Sequence, residues 1–333
     1  RIYQWTNTSP IAKIWDQFSY PKQYGADRIW IVNVGHFKAY SFPLHYFMDL
    51  AWFGNDSLRH DNIREYTKAW ATQQFGKDYA DETAEILTQY TRFNGRRKPE
   101  LLSPVTYSLT DYFEAEKVVF DYNKIAEKAE EVFNKLPVAK RDAYYQLVAF
   151  PARSGSLVNQ LYLAAGRNNL HALQKRASTN DWATITQNLF TADTSLMSYF
   201  NNQFAGGKWK HFQDQAHLGY TAWNDPPVNS LRHIKLQQIE VPDAAEMGVA
   251  LEGTQAVWPD NADTVMLPEF DVFNRQTRYI EVFNKGKGFF KFDIKAAAPW
   301  IQFSTNTGVV EKDMRVWVQI DWTQVPAEKN KSS

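Results

Sequence analysis

The sequence predicts a multidomain α+β chain, on three observations. Near the start, one amphipathic helix is followed by a short apolar run. From about residue 61 to 231 the apolar period is helical almost throughout. After Ile234 the pattern becomes short alternating runs punctuated by Gly, Asn and Pro. A chain of 333 residues can bury one large core or two to three smaller ones.

Taken in order, residues 9–24 place Ile11, Ile14, Trp15 and Phe18 at helical spacing, with Ser9 as N-cap and Pro10 in the first turn. Gly25 breaks that helix. Residues 28–34 (RIWIVNV) are apolar at nearly every position, which predicts a parallel strand covered on both sides. Chemistry in parallel α/β folds gathers beyond the carboxyl ends of the strands, so residues 35–41 (GHFKAYS) hold the expected position of a site. One strand makes no sheet, and nothing later repeats the alternation. The remaining strands are expected before Arg1. Helices are predicted over 61–75, 80–93, 112–136, 140–148, 156–176 and 180–204. In the third, Val118, Tyr122, Ile125, Ala129, Val132 and Phe133 share one side, and Pro137 stops it. RSGS at 153–156 reads as an N-cap after Pro151. Strands are predicted in MGVALEG, RYIEVFNKG, WIQFSTNTG and RVWVQIDW, the pattern of an antiparallel β-sandwich. Residues 326–333 form a polar tail.

Composition narrows the function. Lys+Arg and Asp+Glu number 37 each, leaving no net positive field for a nucleic-acid partner. No run approaches the length needed to cross a bilayer, so no membrane partner is expected. Without cysteine there are no disulfides, thiolate nucleophiles or Cys-ligated metals. The 12 Trp, 17 Tyr and 22 Phe fill cores, and such rings also stack on sugar faces.

Six stretches in one order carry a family resemblance: RIWIVNVGHFKAYSFPLHYFMDLAW, NGRRKPELL, GGKWKHFQDQAHLGYTAWNDPP, ALEGTQAVWP, LPEFDVFNRQTRYIEVFNKG and RVWVQIDWTQVP. Together they resemble glycoside hydrolase family 115, the xylan α-1,2-glucuronidases. The resemblance implies the end of a (β/α)8 barrel over residues 1–58, a helical bundle over 59–234 and a β-sandwich over 235–325. It implies release of (4-O-methyl)glucuronic acid from glucuronoxylan by inversion, without a cofactor. It further implies a homodimer and a secreted or periplasmic setting.

Family members run from this strand into a loop of the form VGDxKPxE, whereas the matching positions here hold His36, Lys38 and Ser41. Inversion normally uses two carboxyl groups, one protonating the leaving oxygen and one activating water. His36 and Ser41 thus stand where the family carries its acids. Lys38 can pair with a uronic carboxylate, and Asn33, Tyr40 and His36 can hydrogen-bond sugar hydroxyls. His36 can also act in proton transfer, since an ordinary imidazole titrates near neutrality. In the loop HLGYTAW, Gly219 permits a tight bend while Tyr220 and Trp223 either pack between domains or line the cleft.

Other features have plainer readings. His45 lies in a helix beside aromatics and reads as packed or surface. The spacing of His211, Asp214 and His217 matches no strong metal-ligand pattern. Arg96, Arg97 and Lys98 are followed by Glu100 and read as a salt-bridged junction. Gly253, Gly286 and Gly288 fit hairpin turns. No G-x-S-x-G surrounds Ser41, against a serine hydrolase. The reading from a different class is a non-catalytic polysaccharide-binding or dimer-forming scaffold.

Overall fold

The computed structural model describes residues 5–54, 57–222, 224, 226–262, 264 and 266–326. The chain divides into two units, one of residues 1–103, 117–162 and 188–235, the other of residues 104–116, 163–187 and 236–333. The helices are α1 (Ile11–Gln23), α2 (Ser41–Phe53), α3 (Ile63–Phe75), α4 (Ala80–Arg96), α5 (Glu114–Lys135), α6 (Val138–Tyr144), α7 (Phe150–Leu173) and α8 (Thr179–Asn202). A π-turn, Tyr145–Ala149, joins α6 to α7. The strands are β1 (Met247–Leu251), β2 (Arg278–Asn284), β3 (Phe290–Asp293), β4 (Ile301–Phe303), β5 (Thr307–Val310) and β6 (Asp313–Ile320).

The first unit is helical and its core is aromatic. Phe42 meets Trp70, Phe75 sits edge-on to Tyr144, and Phe150 packs on Phe200 with centroids 4.5 Å apart. Among its fully buried polar groups, Asn94 and His217 are both satisfied. Asn94 accepts from the Tyr122 hydroxyl at 2.8 Å and donates to the Asn7 carbonyl at 3.2 Å. His217 Nε2 lies 2.9 and 3.0 Å from the two Asp193 oxygens, and Trp5 stacks flat on the imidazole with centroids 3.9 Å apart. Each buried polar atom left without such a partner would cost about 1–3 kcal/mol.

Residues 28–34 form no strand, contrary to the sequence expectation. They run without regular secondary structure, with Ile29 78% and Ile31 85% exposed. A strand exists only through a ladder with a neighbour, and no other strand occurs in this unit among the described residues. The helix that follows has the same character. In α2, Phe42, Pro43, Tyr46, Phe47 and Leu50 are buried while Met48, Trp52 and Phe53 face outward. A helix apolar on both sides is one normally covered on both. The RSGS expectation also fails, because α7 starts at Phe150 and contains residues 153–156. Pro151 fits its first turn, and Ser154 bonds back to the Phe150 carbonyl at 2.8 Å instead of capping.

The second unit carries an antiparallel sheet of order β1-β2-β6-β4 and a two-stranded antiparallel ribbon β3-β5. Val282, Phe292, Val310 and Val316 form a shared core between them, joined by Ile280, Phe290 and Met314. Residues 104–116 and 163–187, which the sequence places in the bundle, group with the strands instead. Ion pairs explain why. Glu281 on β2 stands directly across from Arg315 on β6 and also receives Arg176 Nη2 at 2.6 Å. Arg176 bonds Asp313 as well, at 3.0 Å, and Arg167 and Arg315 both reach Glu116. Side-chain amides add to this. Asn168 donates to and accepts from the Gln237 backbone, and Asn180 does the same with Ile239.

The segment of Gly286 and Gly288 is not a hairpin, since β2 and β3 belong to different sheets. Buried Asn284 shapes this turn, donating to the Gly288 and Glu311 carbonyls and accepting from the Glu246 and Gly286 amides. The bend expected at Gly219 is present. Its φ is +87°, and a Cβ there would lie 2.9 Å from the Ser230 carbonyl oxygen.

Candidate functional site

A cleft of about 460 Å³ opens in the helical unit beside the 28–41 stretch. Its apolar lining includes Ile14 and Phe18 of α1 with Leu44 and Phe47 of α2. Its polar lining includes Thr8, Ser9, Asn33 and two lysines, Lys13 and Lys98. Each element contributes for a local reason. The helical period of α1 brings Lys13, Ile14, Gln17 and Phe18 to the cleft side. Lys98 is extended and precedes Pro99, a position that proline biases away from helix, so it leaves the end of α4 and reaches the cleft.

The electrostatics are one-sided. No carboxylate lines the cleft among the described residues, and neither lysine has an ion-pair partner among them. Such a site suits an anion or a partly anionic ligand with an apolar face.

The residues expected from sequence divide among several places. Asn33 and Tyr40 line the cleft. The Tyr40 hydroxyl donates to the Thr6 carbonyl at 3.0 Å, and burial raises its pKa, with the nearby Glu100 charge adding a little in the same direction. Tyr40 therefore offers its ring to the cleft while its hydroxyl is engaged. His36 stacks on Phe212 with centroids 4.3 Å apart. Burial lowers its pKa, outweighing a hydrogen bond with the Phe212 backbone, so the imidazole is neutral at neutral pH. Ser41 is the first residue of α2, and its hydroxyl donates to the Lys38 carbonyl at 2.9 Å. Lys38 is exposed to solvent. The Tyr220 hydroxyl donates to the Ala216 carbonyl at 3.0 Å. Trp223 lies outside the described residues.

Other side chains take separate roles. His45 sits 3.5 Å from Asp49 one turn along α2. His211 pairs with Asp214 at the surface, while His217 turns inward to Asp193. The residues of the basic cluster turn to different neighbours. Arg96 lies over the Phe93 ring, Arg97 Nε donates to the Leu101 carbonyl at 3.0 Å, and Lys98 opens to the cleft. Sequence reasoning missed Lys13 and Lys98 as site residues. The proline after Lys98 was the available signal, since it marks where α4 must release the chain.

Comparison with known proteins bears on the same stretch. Residues 1–101 match the family model of glycosyl hydrolase family 115, and every residue of the cleft falls inside that range. Over that stretch the chain resembles family 115. A solved family 115 structure, described as a 4-O-methyl-α-glucuronidase with specificity for decorated arabinogalactans, shares its fold. The TM-score is 0.54 at 16% identity, over 96% of this chain and 46% of that one. The chain thus spans about half the length of that family 115 protein. No curated protein matches it.

Proposed function

We propose that this chain serves a glycoside hydrolase that removes (4-O-methyl)glucuronic acid from a decorated polysaccharide such as glucuronoxylan, and that its cleft recognises the uronic acid. The observation that carries the reading is the presence of Lys13 and Lys98, without ion-pair partners among the described residues, beside apolar lining and with no carboxylate among the described cleft residues. A uronic acid presents a carboxylate on one edge and a C–H face on the other, which matches that combination. Lysine binds such a carboxylate as a point charge, and Ile14 and Phe18 take the ring face.

Hydrolysis needs more than recognition. The neutral His36 imidazole can accept a proton but is not the acid that protonates a leaving oxygen, and the Ser41 hydroxyl is turned to its own backbone, so inversion still calls for carboxyl groups. The two carboxyl groups belong either to residues that this half-length match does not span or to a site whose acids have been replaced. A homodimer acting outside the cell on plant polysaccharide completes the proposal.

The test has two arms. Binding of glucuronate is measured for the chain and for Lys98→Met, with a loss of about tenfold or more expected from removing one charge-assisted contact. Release of 4-O-methylglucuronic acid from glucuronoxylan is measured for the chain alone and joined to the half of the solved relative that it does not span, each with and without His36→Asp and Ser41→Glu. Equal glucuronate affinity in Lys98→Met overturns the recognition role. Activity in the unmodified chain overturns the view that its acids are missing.

A further inference from the structure

We propose that the groove beside the Gly286 to Phe289 turn, in the sheet unit, binds the neutral pyranose rings of a polysaccharide backbone. This site shares no residue with the cleft and does not rest on the hydrolase reading. The groove encloses about 510 Å³, room for one or two sugar rings. Its platform is Phe289, 62% exposed. Alternation into β3 turns Phe290 into the core, leaving Phe289 on the open side. Next to it Gly288 has φ +79°, and a Cβ there would meet nothing within 4 Å, so a ligand ring can approach the backbone closely.

The turn is held before any ligand arrives. Buried Asn284 makes four hydrogen bonds, two of them to the Gly286 amide and the Gly288 carbonyl, and Lys287 N–H donates to the Pro242 carbonyl at 2.8 Å. Preorganisation of this kind lowers the entropy lost on binding.

Charge selects the ligand class. Lys312 is ion-paired with Asp181, and Lys287 Nζ is 2.7 Å from Asp243. Glu311 adds a second carboxylate to the lining. A phosphate or uronate would have to displace Asp181 and Asp243 from their lysines, and no group of three metal-ligating side chains occurs among the described residues. Vicinal sugar hydroxyls ask for something else, a donor and an acceptor side by side next to an apolar face. The Lys312–Asp181 pair beside Phe289 supplies it.

The experiment is titration of the isotopically labelled chain with xylohexaose and, separately, cellohexaose at millimolar concentration, followed by amide chemical shifts. The shifts are expected at residues 286–289 and 312 with either probe. Phe289→Ala, a change at an exposed ring, is expected to weaken binding about tenfold or more while leaving the circular dichroism spectrum unchanged. Sodium glucuronate is expected not to displace the hexaose. Absence of shifts at 286–289 with both probes overturns the proposal, as does full affinity in Phe289→Ala. Displacement by glucuronate overturns it in favour of an anion site, and shifts confined to the Asn33 to Lys98 cleft overturn it in favour of that cleft.

Discussion

Replacing Glu281 with Gln removes the charge at the centre of the ion network in the sheet unit. Burial alone would raise the pKa of this carboxyl, but Arg176 and Arg315 outweigh it and leave the value lowered from 4.5 to about 2. At about 1.36 kcal/mol per pH unit, that difference amounts to about 3 kcal/mol of stability. The side chain is 18% exposed and Arg176 only 1%, so solvent screens little of it. A depressed carboxyl pKa stabilises the fold above the unfolded value and loses that contribution as pH falls. The window is therefore from about 4.5 down to about 2. Removing one partner of a buried pair costs about 3–5 kcal/mol in general, the same range reached from the other side. The assay is urea-dependent amide exchange in the β2–β6 ladder, which reports on this unit, for wild type and Glu281→Gln at pH 7 and pH 3. The variant should be about 3 kcal/mol less stable at pH 7, and the gap should shrink by pH 3. His171, pushed down to about 4 by burial and then by Arg176, titrates over the same acid range and is held up in part by Glu281 itself, so both proteins are compared in a His171→Gln background. A gap under about 0.5 kcal/mol at pH 7, the ordinary range of a surface substitution, would refute the reasoning. So would a gap that does not change with pH.

Asn94→Ala should cost about 2–3 kcal/mol in urea unfolding, because the Tyr122 hydroxyl and the Asn7 carbonyl are left buried without it. Gly248→Ala should cost about 1–3 kcal/mol, read as a lowered melting temperature, since the added methyl overlaps the fully buried Phe283 ring on which the Arg176 guanidinium rests 4.0 Å from the centroid. The His36 ring should titrate below 6.5 in an NMR pH series, and Phe212→Ala should move its midpoint upward by returning the imidazole to water. A His36 midpoint at or above 6.5 would contradict its burial against Phe212.

Periodicity made the helices legible because it records which face is buried. The amphipathic run around Val118 to Phe133 became α5, and MGVALEG, RYIEVFNKG and RVWVQIDW became β1, β2 and β6. β3 escaped notice, since FKFD is only four residues and follows a glycine-rich turn. Residues 28–34 misled for a different reason. Their apolar run records a preference for burial, but a ladder also needs a neighbour, and hydropathy does not say whether one is present. At the site, the family-like motif drew attention to His36, Lys38 and Ser41, whereas the cleft is lined by Lys13 from an apparently ordinary helix and Lys98 from an apparently ion-paired cluster. Ion pairing depends on three-dimensional neighbours, so adjacent opposite charges in sequence do not settle it. The Arg176, Glu281 and Asp313 network, spread over 137 positions, was invisible for the same reason.

The open stretch from Ile29 to Phe37 has a consequence for the life of the molecule in a cell. Ile29, Ile31 and Phe37 stand in water outside regular secondary structure, close in sequence to the outward rings of Trp52 and Phe53. Exposed apolar segments of this kind are what chaperones hold and proteases cut, and they seed association between copies as concentration rises. A partner surface that covers these side chains would lower that tendency.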